Sequence, residues 1–186
     1  ELAELAEMTE MTTPATIYRS TLPSPIGPLL LCGTGTAITA IFMATRKHPE
    51  GIPSATRPDD GPFREARRQL DAYFAGELRE FTLELAPLAP NATLFRQKVW
   101  RALREIPYGA TESYGALALR IGLPQAARAV GLANGRNPIS IVIPCHRVIG
   151  ATGALVGYGG GLERKQWLLA HEQRHAVGSQ QRLPGL

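Results

Sequence analysis

The sequence predicts an α+β fold. A small N-terminal unit, an antiparallel sheet plus one helix, precedes a mostly helical C-terminal unit containing a helix-turn-helix. Three observations lead to this. Short apolar and β-branched runs separated by Pro/Gly clusters fill residues 17–43, as in a β-meander. Ala86-Pro87-Leu88-Ala89-Pro90-Asn91 then carries two prolines, the composition of an extended linker. Beyond it, apolar residues recur at helical spacing and are interrupted by glycine and proline. The expected divisions are an extension over 1–15, the sheet-bearing unit over 16–86, the helical unit over 92–175 and a tail over 176–186.

In chain order, Glu1 to Pro14 shows no clean entry into a fold and is assigned no role. Ile17–Leu22, Leu29–Cys32 and Ala37–Phe42 read as strands, joined by the turn clusters Pro23–Pro28 and Gly33-Thr34-Gly35. Thr45–Gly61 reads as a loop. Pro62 suits the first turn of a helix, and Phe63, Ala66, Leu70, Tyr73 and Phe74 make its apolar stripe, with Gly76 as the stop. Glu80–Leu85 alternates as a strand does. This unit carries no candidate catalytic cluster and reads as support.

In the second unit, Thr93 is a plausible N-cap for a helix with the stripe Phe95, Val99, Ala102, Leu103 and Ile106. Arg96, Lys98, Arg101 and Arg104 lie off that stripe, as a solvated face or as phosphate contacts. Ser113 caps a helix over Tyr114–Ile121, Gly122-Leu123 turns, and Pro124 opens a helix to Asn134 that Gly135 stops. This last helix is thin, with Ala126, Ala127 and Ala129 around the single long side chain of Arg128. A major-groove reader needs long polar side chains for base edges, so small residues with one projecting arginine suit a minor groove better. Ile141-Val142-Ile143 reads as a buried strand ended by Pro144. A glycine-rich loop, Gly157-Tyr158-Gly159-Gly160-Gly161, could bring bare backbone to a ligand, and a final helix starts near Leu162 and runs to His171 or beyond.

Composition narrows the class. The 186 residues are 44% hydrophobic and 19% charged, as in an ordinary globule, with net charge +4. A mildly basic chain is compatible with a polyanionic partner. Cys32 and Cys145 lie far apart and form no CxxC pair, which argues against a disulfide framework and a zinc site. No apolar run is long enough to span a bilayer, so a cytoplasmic protein without membrane contact is expected.

The chemistry-bearing stretch is Pro144-Cys145-His146-Arg147-Val148. A thiol becomes a good nucleophile when it ionises, and a neighbouring imidazole can take its proton. A buried structural cysteine beside an unrelated histidine would carry the same pair, so the pair alone does not decide.

Pro144-Cys145-His146-Arg147-Val148, preceded by Arg128-Ala129-Val130-Gly131 and Asn137-Pro138, resembles the methylated-DNA–protein-cysteine methyltransferases, also called O6-alkylguanine-DNA alkyltransferases. The likeness runs from about Leu94 to Glu172 with order and spacing intact. It implies a ribonuclease-H-like N-terminal domain and a suicide reaction in which the alkyl group of O6-alkylguanine in double-stranded DNA passes to the Cys145 sulfur. His146 would draw the thiol proton through a water, and Glu172 would orient the imidazole. Tyr114 would crowd the target phosphate and offer a proton to the leaving guanine. Arg128, on a helix face with Ala126 and Ala127, would fill the gap left by the extruded base. Asn137 would tie the recognition helix to the cysteine loop, and Tyr158, Gly159 and Val148 would line the base pocket. No cofactor and no metal are implied, since Cys32 lacks the companions that zinc-bearing relatives have. Gly159 stands where some relatives carry a side chain, which bears on tolerance for bulky alkyl groups. The free protein would be a monomer. Three other classes fit less well. A lesion-binding signalling module would lack the acceptor cysteine. A cysteine hydrolase would need a carbonyl for water to attack. A transcription factor would need base-reading side chains on its recognition helix.

Overall fold

The computed structural model describes residues 15–44, 55–86 and 92–177. The meander is present as β1 (Tyr18–Leu22), β2 (Leu29–Gly33) and β3 (Ile38–Met43), antiparallel, with Thr21 opposite Leu30 and Leu31 opposite Ile41. A fourth strand, β4 (Arg57–Pro58), pairs parallel with β1, giving the order β3-β2-β1-β4. This corrects the expectation of a plain loop over Thr45–Gly61, of which residues 45–54 lie outside the described ones. Pro58 cannot donate to a ladder, and it is accommodated because β4 is an edge.

A 3-10 turn over Gly61–Phe63 takes up Pro62 and leads into α1 (Arg64–Phe74). Phe63, Ala66, Leu70 and Tyr73 face the core. Gly76 follows the helix at φ +79°, where a Cβ would fall 2.1 Å from the His175 ring, so both backbone and space demand glycine. The strand expected over Glu80–Leu85 is not formed: Leu85 makes one bridge to Ile38, and the rest joins no ladder. The Gln69 side chain takes over the pairing there. Its Oε1 accepts from Thr82 N–H and its Nε2 donates to Thr82 Oγ1, each at 2.9 Å.

The second half holds α2 (Leu94–Leu103), α3 (Tyr114–Arg120), α4 (Ala127–Gly135) and α5 (Leu162–Val177). Thr93 and Ser113 cap α2 and α3, accepting from the backbone N–H of Arg96 and Ala116. A short parallel pair, β5 (Glu112–Ser113) with β6 (Val148–Ile149), was not foreshadowed by any pattern. α4 starts three residues after Pro124, because Ala126 N–H bonds back to Leu123 in a turn, and Gly135 is its last residue rather than its stop.

The apolar run at 141–143 is also corrected. It is no strand but a pair of tight turns. Val142 N–H bonds to Ser140 C=O at 2.9 Å around Ile141, whose φ of 74° makes this a γ-turn of the rare positive-φ kind. Cys145 N–H bonds to Ile143 C=O at 2.8 Å around Pro144 (φ −81°, ψ 63°), an inverse γ-turn that proline's fixed φ favours.

One hydrophobic core runs through both halves, joining Leu29, Ile41, Phe63 and Tyr73 to Trp100, Leu117, Ile143 and Leu168. Full burial of each such side chain stabilises by about 1.5–3 kcal/mol. Polar contacts seal the seam. Ile41 N–H donates to Pro138 C=O and Ile41 C=O accepts from Ser140 N–H, each at 3.0 Å. Within the N-terminal half, Ile38 is held the same way by Glu84 C=O and Ala86 N–H, each at 2.9 Å. Arg164 Nε donates to Ile26 C=O at 2.6 Å, and Trp100 Nε1 locks α2 to α4 by donating to Ala133 C=O at 2.8 Å. Among the described residues no helix is long and apolar enough to cross a membrane.

Candidate active site

Cys145, His146 and Arg147 occupy one 3-10 turn, all buried. Asn137 sets the approach to that turn. Its Nδ2 donates to Ile143 C=O at 2.7 Å and its Oδ1 accepts from Ile139 N–H at 3.0 Å, satisfying backbone groups that a ladder would otherwise have paired. Asn134, in the last turn of α4, adds a bond from Nδ2 to Cys145 C=O at 3.3 Å. The cysteine turn is thus fastened to α4 and to the chain just after it.

His146 meets Glu172 of α5, Nε2 to Oε1 at 2.7 Å, with both side chains fully buried. An ionised Glu172 places the proton on Nε2, leaving the Nδ1 lone pair as the basic site; Nδ1 is buried with no hydrogen-bond partner among the described residues. Glu172 is held on every side. Arg147 grips it through Nε and Nη2 at 2.9 Å each, Gly109 N–H donates at 3.1 Å, and Tyr73 OH donates at 2.8 Å. Such two-pronged arginine pairing fixes orientation as well as charge. Gly109 sits at φ +78° with Ala176 Cβ 2.7 Å from where its own Cβ would be, so only glycine brings that N–H to the carboxylate.

Electrostatics follow from this packing. Burial pushes the Glu172 carboxyl up, but the bonds from His146 and the bonds and charge of Arg147 outweigh it and hold the group well below the usual carboxylate range. Burial pulls His146 below the ordinary imidazole range, against the opposing pull of Glu172. The site therefore holds a neutral imidazole beside an ionised carboxylate, the state in which histidine can accept a proton. Cys32 is different: it is fully buried in strand β2, and burial raises its thiol pKa.

Of the other residues singled out by sequence, Asn137, Cys145, Tyr158 and Gly159 line one small cavity, together with Asn134, Gly135, Ser140 and Gly157. Its volume is about 10 Å³. Tyr114 starts α3 and its hydroxyl donates to Val156 C=O at 3.1 Å. Arg128 stands exposed in the first turn of α4, beside half-buried Ala126 and Ala127. Val148 is fully buried and does not line that cavity; its carbonyl accepts from Lys165 Nζ at 2.6 Å. Sequence reasoning missed Tyr73, Asn134, Arg147 as a ligand of Glu172, and Lys165. The last is a fully buried cation, and its sequence signal, one lysine on the apolar side of α5, is faint. Among the described residues no group of three or more His, Cys, Asp or Glu side chains is arranged to hold a metal ion.

A thiol beside a buried imidazole–carboxylate pair, in a helical unit fused to a small sheet, defines a protein built for nucleophilic cysteine chemistry. Residues 94–174 match the family described as 6-O-methylguanine DNA methyltransferase, DNA binding domain, and residues 17–87 match its ribonuclease-like domain. The chain is 53% identical over 163 residues to the methylated-DNA–protein-cysteine methyltransferase of Mycobacterium leprae, covering 88% of this chain and 96% of that one. It is similar in structure to the Mycobacterium tuberculosis O6-methylguanine methyltransferase, with TM-score 0.79, 53% identity and coverage of 86% and 94%. It is also similar to Mycobacterium tuberculosis OGT in complex with DNA, with TM-score 0.78, 53% identity and coverage of 85% and 94%. The chain belongs to the methylated-DNA–protein-cysteine methyltransferase family.

Proposed function

We propose that this DNA repair methyltransferase uses Cys145 as its alkyl acceptor and acts once per molecule on O6-alkylguanine in double-stranded DNA. The observation that carries the assignment is the fully buried His146–Glu172 contact at 2.7 Å, one residue from Cys145. The thiol gives its proton, through a water, to His146, whose Nε2–H stays on Glu172. The thiolate attacks the saturated alkyl carbon, so the S–C bond forms as the C–O6 bond breaks and the electron pair leaves on guanine. Tyr114 supplies a proton to the leaving base, and the imidazolium proton restores the balance through solvent. The product thioether has no carbonyl for water to attack, so the protein is consumed.

Reaching the lesion requires base extrusion, since a stacked base is out of reach of a buried thiol. The α3–α4 pair is read as a helix-turn-helix that lays Ala126, Ala127 and Arg128 against the duplex, with Arg128 filling the vacated stack. Tyr158 and Gly159 serve the base pocket. The protein acts as a monomer, in the cytoplasm. The test is mass spectrometry after incubation with an O6-methylguanine duplex. One methyl mass on the Cys145 peptide is expected; a methyl on Cys32, or no transfer, overturns the assignment.

A further inference from the structure

We infer that Tyr73, in the N-terminal half, is a positioning residue for the catalytic carboxylate: its hydroxyl shares Glu172 Oε1 with His146 and sets how strongly that oxygen pulls on the imidazole. The inference rests on the roles proposed for His146 and Glu172.

Tyr73 reaches Glu172 across 99 positions of sequence, OH to Oε1 at 2.8 Å, with its own side chain fully buried. Its backbone carbonyl accepts from His171 Nε2 at 2.7 Å, so two successive residues of α5 hold one residue of α1 at both ends. The ring is wedged edge-on against Phe74 (5.4 Å, 75°) and Tyr108 (6.1 Å, 83°). Burial holds its phenol far above the ordinary range, so it stays a donor at any working pH.

Five donors converge on this carboxylate: Tyr73 OH, His146 Nε2, Gly109 N–H and two from Arg147. A carboxylate offers about four lone-pair sites. Oε1 takes three of the donors, so Tyr73, Arg147 and His146 compete for the same charge. The charged groups facing His146 are Glu172 and Lys165 from α5 and Arg147 from its own turn. Both cations oppose imidazole protonation and Glu172 favours it, so a donor that draws density from Oε1 keeps His146 neutral. A hydroxyl contributed from outside the helical half thereby tunes the base within it.

The experiment is Tyr73→Phe, which keeps the ring packing and removes the hydroxyl. His146 is followed by NMR titration, and single-turnover transfer from free O6-benzylguanine by its pH–rate profile. The His146 midpoint should rise by about half a unit to one unit. The acid limb of the rate should move with it, costing about three- to tenfold below the midpoint and little on the alkaline plateau. Phe74→Leu disturbs the same aromatic cluster without touching the carboxylate and should leave the midpoint in place. An unmoved midpoint in Tyr73→Phe overturns the inference, as does an equal rate loss at every pH. Glu172→Gln separates the two layers: undiminished transfer would sink the mechanism, while the titration of Tyr73→Phe still judges this proposal.

Discussion

Tyr114 is tied to Val156. Its hydroxyl donates to the Val156 carbonyl at 3.1 Å, and Lys165 Nζ donates to that same oxygen at 2.9 Å while also holding Val148 C=O. Val156 belongs to the segment that supplies Gly157, Tyr158 and Gly159 to the cavity beside Cys145. At about 10 Å³ that cavity has room for no more than about one water, far less than a purine ring needs. The Val156 carbonyl is thus a shared anchor for Tyr114 and Lys165.

Lys165→Met should therefore loosen the segment. The thioether keeps the packing of the stem, but two carbonyls lose their charged donor. Stability should fall by about 1–3 kcal/mol in urea unfolding. Amide exchange over 150–161 should quicken. Unchanged stability and exchange would mean the ammonium does not hold the loop.

Arg128→Ala should slow repair in duplex DNA, because unstacking costs a few kcal/mol and the inserted side chain offsets part of it. Reaction with free O6-benzylguanine should be nearly unchanged, since no base has to be extruded. A lost charge would weaken duplex and single strand alike, whereas an extrusion defect spares the single strand. Equal slowing on all three substrates would show that the arginine is structural.

Cys145→Ser should abolish transfer and leave DNA binding intact. Affinity should fall steeply with added salt, as counterion release requires. Scrambling the duplex should change affinity little, because α4 carries few groups able to read base edges. A strong preference for one sequence would contradict this.

Acid should weaken the fold through the same buried centre. His146 is held below 6.5, so the unfolded chain binds more protons there as pH falls; stability is full above that value and declines beneath it. Glu172 is held below 4.5, so its contribution is full above that value and is lost as pH falls through the acid range. Thermal midpoints should thus drop in two stages on acidification. In Glu172→Gln the second stage should flatten. The variant should also be less stable at neutral pH by about 3–5 kcal/mol, since Arg147 is left as an uncompensated buried charge.

Local signals in the sequence were legible because their causes are local. Thr93 and Ser113 cap the helices they precede, and the stripes of α1 and α2 are buried as their spacing requires, except that Phe74 and Phe95 at their ends are half-buried. Cys145 and His146 are adjacent in the chain, so their pairing needed no fold. Glu172 came only through family resemblance, because nothing near it in sequence marks one exposed-looking glutamate as buried. Tyr73 was hidden for another reason: it falls in an apolar stripe, where a ring is all the pattern asks for. Ile141–Ile143 misled because its composition suits a strand, whereas Asn137 supplies the hydrogen bonds that bend it into turns.

The backbone contacts that Ile38 and Ile41 make beyond the sheet have a consequence for the protein in a crowded solution. β3 ends the sheet order, and a bare terminal strand is a template on which another chain can add. Here the backbone groups of Ile38 are engaged by Glu84 and Ala86, and those of Ile41 by Pro138 and Ser140. The segment 84–86 and the approach to the cysteine turn thus act as a cover strip, shielding that margin of the sheet from strand-by-strand aggregation.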